Sequence, residues 1–194
     1  MLGGIVRGKT VTLRTPVEAD LSLVNAWMAD MRVRRGGHKW DEPAALDTWK
    51  ERLKEEAKAE RRILWTIEAE GRSAGLAAVD VWPDPLGGVD IRFFLLDAGV
   101  WRRGYGWDAA LALHRYLLDY LDLKVVTLSL PADNVAALRI AERLGYRTFG
   151  QGHEVYYRDG AYADRLEMRF DRATWDERWA GEREYLPLAA DVTR

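Results

Sequence analysis

The residues best suited to chemistry in this chain form one run, Trp101-Arg102-Arg103-Gly104-Tyr105-Gly106-Trp107-Asp108-Ala109. Two glycines in a turn that opens a helix let backbone N–H groups approach an anion without side-chain obstruction. The helix start adds a favourable dipole, and Arg102 and Arg103 add mobile positive charge. Such a turn is built as a phosphate cradle; the plain alternative is a glycine-rich helix start with no ligand. Taken literally, Gly104-x-Gly106-x-x-Ala109 also fits the dinucleotide fingerprint. That motif needs a strand running straight into the first glycine and an acid at the end of the next strand. Here the apolar run ends at Leu96, eight residues (97–104) carry the chain to the close of the turn, and Asp133 comes too late.

Other signals are weaker. Gly71-Arg72-Ser73-Ala74-Gly75 matches the nucleophile-elbow pattern, but it lies between two strand-like segments, whereas an elbow joins a strand to a helix. Ser73 is therefore read as a turn residue. His38, His114 and His153 have no metal-ligand spacing, and no metal site is expected. His114 sits beside the apolar stripe of a helix and reads as structural, while His153 lies in a loop that could touch a substrate. The absence of cysteine excludes disulfides, thiolate nucleophiles and Cys-ligated metals.

The elements that must position this chemistry follow from periodicity. Thr10-Val11-Thr12-Leu13-Arg14 alternates as a strand. Thr15-Pro16-Val17-Glu18 reads as a capping box for a helix with Val17, Leu21, Val24 and Met28 on its apolar face. After Gly36-Gly37, residues 43–60 predict a second helix with Leu46, Trp49, Leu53 and Ala57 on one side. Residues 63–68, 75–82 and 89–96 predict an antiparallel meander, with turns at Gly71-Arg72 and 83–88. A core-facing helix is expected over 104–121, a buried strand over 125–130, and a helix over 134–144 closed by Gly145. A hairpin over 154–170 and a short helix capped by Thr174 end the chain. The fold class is thus α/β (α+β), a mixed, mostly antiparallel sheet.

These 194 residues suit one domain over 1–180 with a tail at 181–194. Basic and acidic residues number 29 and 31, so no overall positive field recruits nucleic acid or anionic membrane. The opening residues lack a signal peptide's pattern and no 18-residue apolar span occurs, which predicts a cytoplasmic protein.

The ordered set of features resembles the GNAT superfamily of acyl-CoA-dependent N-acyltransferases. It comprises Leu13-Arg14, Trp65-x-Ile67, Gly75, Asp90-Ile91-x-Phe93, Gly104-Tyr105-Gly106, Asp133-Asn134, Glu142-Arg143-Leu144-Gly145-Tyr146 and Tyr157-Arg158-Asp159-Gly160. Within it, the chain is similar to the ribosomal-protein-alanine and polyamine acetyltransferase branch. The resemblance implies a sheet of about seven strands with helices on both faces, acetyl-CoA as donor, and a primary amine as acceptor, either a peptide N-terminus or a small molecule. It carries the pyrophosphate loop onto Arg102, Arg103, Gly104, Tyr105 and Gly106, with Trp107 opening the helix. Phe94 and Leu95 become the strand edge that pairs with the pantetheine amides. Asn134 becomes a CoA contact, and it equally suits a helix N-cap.

The chemistry this implies is direct attack of a neutral amine on the thioester, with a carboxylate as base. Asp90 stands where many relatives carry glutamate; Asp80 and Glu68 are runners-up on neighbouring strands. The family's usual hydroxyls are replaced by Ala137 and Ala141. Tyr146 and Tyr156, with Ser129 or water, are then the candidate acids for the leaving thiolate. Two variants stay open: a longer donor such as succinyl-CoA, and a non-catalytic acyl-CoA sensor on the same fold. A homodimer is also left open. The acceptor pocket is expected from residues 31–40 and 151–157.

Overall fold

The computed structural model describes residues 1–35, 45–83, 87–179 and 181. Gly36-Gly37, residues 84–86 of the 83–88 turn and all of the 181–194 tail but Gly181 lie outside these residues. The chain runs β1 (Val6–Arg7), β2 (Val11–Arg14), α1 (Asp20–Ala29), α2 (Met31–Arg34), α3 (Leu46–Lys58), β3 (Arg62–Ala69), β4 (Arg72–Val81) and β5 (Gly88–Leu96). It continues with α4 (Tyr105–Arg115), β6 (Val125–Pro131), α5 (Val135–Leu144), β7 (Arg147–Arg158), β8 (Ala161–Asp171) and α6 (Arg172–Trp179). The strands form one sheet in the order β1-β2-β3-β4-β5-β6-β8-β7. Among the strand pairs of the described residues only β5–β6 is parallel, with α4 on the crossover between them.

Neighbouring residues of β3 show which helices cover which face, since successive side chains of a strand point to opposite sides. The Thr66 hydroxyl donates to Asp20 of α1 at 2.8 Å. The fully buried Trp65 ring meets Tyr116, just past α4, edge-on at 5.4 Å. So α1 lies on one face and the α4 segment on the other. The larger apolar cluster joins β2 to β6 with α4, α5 and α6; a smaller one gathers Val24, Trp27, Met28, Val33 and Leu76.

Four details differ from the sequence reading. The sheet has eight strands, the addition being the two-residue β1 paired to β2. The capping box does not form: Thr15 Oγ1 donates to the Gly3 carbonyl at 2.6 Å, and Glu18 pairs with Lys50 at 2.8 Å. Asp20 instead accepts from the Val17 amide at 2.9 Å, and α1 starts two residues beyond Glu18 with no side-chain cap, leaving Val17 exposed. Past Arg115, α4 widens into a π-turn at Tyr116–Tyr120. Helix α6 begins at Arg172, ahead of Thr174, because the Arg172 guanidinium is held by the Leu123 carbonyl at 3.1 Å and Asp122 at 3.1 Å.

Candidate functional site

Strands β5 and β6 pair only from Gly88↔Val125 to Ile91↔Leu128. At that point β5 carries a bulge: Val79 faces Ile91 and Ala78 faces Phe93, leaving Arg92 unmatched. Beyond it the two strands diverge, because β6 follows β8 through Leu130↔Leu166 and Pro131↔Arg165. The gap opens a cleft of about 1310 Å³ that reaches from α1–α3 on one face to α4–α5 on the other. Phe94 and Leu95 of β5 line it, as do Leu128, Ser129, Leu130 and Pro131 of β6. A strand edge with unpaired amides and carbonyls suits an extended ligand that itself carries amides.

One end of the cleft is the glycine turn. Arg102 and Gly104 both take positive φ, 64° and 84°, which swings the backbone around before α4 begins. No side chain caps α4, and nothing lies within 4 Å of where a Cβ on Gly104 would stand. The first-turn amides of α4 are thereby open to an anion. Gly106 is glycine for packing: a Cβ there would come within 3.0 Å of Leu96 Cδ1 and 3.4 Å of Ile140 Cδ1. Trp101 fastens the loop, donating from Nε1 to the Leu96 carbonyl at 3.0 Å.

The two arginines part company. Arg102 lines the cleft, whereas Arg103 lies within 3.4 Å of Glu70, at the β3–β4 turn. Glu70 also accepts the Tyr105 hydroxyl at 2.5 Å, a bond that lowers the carboxyl and raises the phenol pKa. Tyr105 thus offers the cleft its backbone, with its hydroxyl tied behind. Trp107 also lines the cleft, under the Arg143 guanidinium at 3.8 Å and beside Trp179. Asn134 caps α5, its Oδ1 accepting from the Ala137 amide at 3.2 Å, and it also borders the cleft.

The catalytic candidates are placed unequally. Asp90 lies opposite Asp80 on β4 and Thr127 on β6, and accepts the Thr127 hydroxyl at 2.7 Å. Burial raises its pKa, with Asp80 and Glu167 adding to the rise against the Thr127 bond. It flanks Ile91 and Arg92, both of which line the cleft. Tyr156, 8% exposed, lines the cleft from β7, as do Ala137 and Ala141 from α5. Tyr146 is fully enclosed, its hydroxyl 2.7 Å from His114 Nε2, while His114 Nδ1 is 2.7 Å from the Ala110 carbonyl. Burial lowers His114 to about 4, so the ring is neutral at pH 7, donates from Nδ1 to Ala110 and accepts from Tyr146. Ser73 hydrogen-bonds to Asp20 at 2.6 Å and to Arg14 at 2.8 Å, which binds it into an ion cluster. His153 is exposed beside Asp164 at 3.4 Å.

The sequence reading missed Glu70 and the Asp20–Arg14 pair, both fixed by contacts between distant segments. Of the expected acceptor pocket, Arg32, Val33, Arg35 and Tyr156 line the cleft; residues 36–40 lie outside the described residues. Among the described residues, none of the His, Asp and Glu side chains form a metal-binding group, and no helix is long and apolar enough to cross a membrane.

Residues 10–147 match the family model of the acetyltransferase (GNAT) domain. The chain belongs to the GNAT acetyltransferases. Members of this family are acyl-CoA-dependent N-acetyltransferases, and the cleft described above lies largely within the matched residues. Solved structures show the same fold. A coenzyme A complex of RimL, a ribosomal L7/L12 α-N-protein acetyltransferase, has 15% identity and TM-score 0.75, with 87% of this chain and 98% of that one covered. Mutant forms of the spermidine/spermine N-acetyltransferase SpeG from Vibrio cholerae share 16% identity at TM-score 0.73, covering 87% and 98%. A GCN5-related N-acetyltransferase from Brucella melitensis gives 17% and 0.72, covering 93% and 82%.

Proposed function

We propose that this chain transfers an acetyl group from acetyl-CoA to a primary amine, a peptide N-terminus or a small molecule. The observation that carries the reading is the divergence of β5 from β6 at the foot of an uncapped α4. The free edge at Phe94 and Leu95 pairs with the pantetheine amides. The amides of the Gly104–Gly106 turn and the Arg102 guanidinium hold the pyrophosphate, with Arg103, Tyr105, Trp107 and Asn134 shaping the groove around it. The thioester then rests near Ile91 and Arg92, beside Asp90.

Asp90 takes a proton from the acceptor ammonium, directly or through water, and the neutral amine adds to the thioester carbonyl. Its raised pKa makes it a stronger base than an ordinary carboxylate, closer to the working pH. As the C–S bond breaks, a proton passes to the thiolate. Of the two candidate tyrosines, Tyr156 is assigned that task because it borders the cleft, while the Tyr146 hydroxyl is held by His114. The alanines at 137 and 141 favour one second reading, a donor bulkier than acetyl, since they leave the α5 wall small.

Acetyl-CoA, succinyl-CoA and free coenzyme A should each be tested for thermal stabilisation, followed by free-thiol release against an amine panel. Binding with amine-dependent thiol release is the expected result. No stabilisation at millimolar ligand overturns the proposal, and binding without release for any amine points to a sensor.

A further inference from the structure

The α1–α3 side of the cleft is lined by four arginines, and three already have carboxylate partners. Arg32 pairs with Asp30 at 2.6 Å, Arg35 with Asp159 at 2.8 Å, and Arg92 with Glu56 at 2.7 Å. Arg52 differs. Its guanidinium stacks over the Trp49 ring at 4.6 Å and has no carboxylate partner among the described residues. Trp49 is itself fixed, donating from Nε1 to Asn25 at 3.2 Å and packing on the smaller apolar cluster. A guanidinium resting over an indole keeps N–H groups free to bind, and these match a carboxylate in two-point geometry.

The carboxylates on the same wall are mostly spent. Asp20 is held by Arg14 at 2.9 Å, and Glu56 gives Oε1 to both Arg92 and Arg62 while its buried Oε2 has no hydrogen-bond partner among the described residues. Glu55 is the exception: it lines the mouth three residues after Arg52, and no ion pair joins the two. Among the described residues the mouth thus offers one cation without a carboxylate partner, Arg52, and Trp49 orients it.

Resting on the acetyl-transfer reading, we infer that the acceptor carries a carboxylate beyond its reacting amine, and that Arg52 on its Trp49 platform selects it. The amine then sits by Ile91 and Arg92, beside Asp90, while the carboxylate stays at the mouth. An amino acid and a peptide whose N-terminal stretch holds an acidic side chain share this chemistry.

Two probe pairs differ in charge at nearly constant shape: β-alanine against β-alaninamide, and Ala-Glu-amide against Ala-Gln-amide. 1,4-Diaminobutane serves as a cationic acceptor. Acetyl transfer should favour the acid over its amide by roughly tenfold or more in kcat/KM in at least one pair, the pair that responds distinguishing the two sources. Arg52→Ala should erase that preference by raising KM with kcat little changed, and Arg52→Lys should restore part of it. Acetyl-CoA affinity should be the same in all three proteins. Equal use of acid and amide, or a preference unaltered in Arg52→Ala, overturns the inference. So does a best rate with 1,4-diaminobutane that falls in Glu55→Gln. If acetyl-CoA itself fails to bind the wild type, the underlying reading has failed and the inference falls with it.

Discussion

Replacing Gly104 separates the two reasons a glycine can stand at the cradle. At φ 84° the backbone is in the left-handed region, where an ordinary L-residue costs about 1–2 kcal/mol. A Cβ added at Gly104 meets nothing within 4 Å, so no clash adds to that strain. In a 194-residue chain, about 1 kcal/mol moves Tm by about 2–4 °C. Gly104→Ala should therefore lower the ligand-free Tm by about 2–8 °C, and Gly104→Asn by less, since asparagine tolerates this conformation better. The ligand effect follows a different rule. Either side chain occupies the open space through which a pyrophosphate would reach the backbone, so both variants should weaken coenzyme A binding by about tenfold. At a concentration of 100 times the wild-type Kd, stabilisation of about 2.7 kcal/mol would fall to about 1.4 kcal/mol. Thermal melts with and without coenzyme A read both numbers from one protein sample. The reasoning fails if Ala and Asn keep the full ligand shift, because then nothing approaches Gly104. It also fails if Ala leaves the ligand-free Tm untouched, because the left-handed turn is then not retained.

Other consequences are as direct. Arg102→Ala should weaken coenzyme A binding and flatten its salt dependence, and Arg103→Ala should do so less, because Arg103 faces Glu70; equal losses would refute the distinction. Asp90→Asn should cut kcat by about 10²–10⁴-fold with rescue at high pH and acetyl-CoA affinity unchanged. Because a carboxyl whose pKa is raised on folding costs stability where it is ionised, the same variant should be no less stable at pH 7; a pH–rate profile and a melt check the two halves. At Asp20, burial alone would raise the carboxyl, but bonds from Arg14, Ser73, the Val17 amide and Thr66 outweigh it and hold it far below the usual range. Its stabilisation is present above the unfolded pKa of about 4 and lost as pH falls below it, so urea melts should show Asp20→Asn weaker by about 3 kcal/mol at pH 7 and the gap narrowing with acid.

What the sequence disclosed and what it withheld divide along physical lines. The meander, the glycine turn and the Asn134-to-Gly145 helix were legible because each depends on local periodicity and on backbone geometry that few residues supply. Asn134 caps and Gly145 turns left-handed as such positions require. The failed capping box at Thr15–Glu18 had a correct local pattern. It lost to Asp20, whose partners Thr66 and Ser73 lie 46 and 53 residues away. The same distance hid Glu70, which reaches Tyr105 across 35 residues. The divergence of β5 from β6 was equally invisible, since it depends on the bulge at Arg92 and on the pull of β8 on β6.

The placement of hydroxyls narrows the question raised by the two alanines on α5. A proton donor for a thiolate must reach the sulfur and must part with its proton near the working pH. Tyr146 meets neither condition: burial and the nearby Asp90 charge raise its pKa well above that of a free phenol, and its hydroxyl is directed into His114. Nor does His114 offer a proton, since burial holds it neutral until about pH 4 and its one N–H is given to Ala110. That pair is better understood as a strut. It ties α4 to the residue that follows Gly145, in an aromatic group with Phe170, and so fixes the wall of the cleft that Ala141 belongs to. Tyr156 lines the same cleft from β7, a strand paired with β8. The acid we propose therefore belongs to the β7–β8 hairpin, while Ala137 and Ala141 leave the α5 wall small.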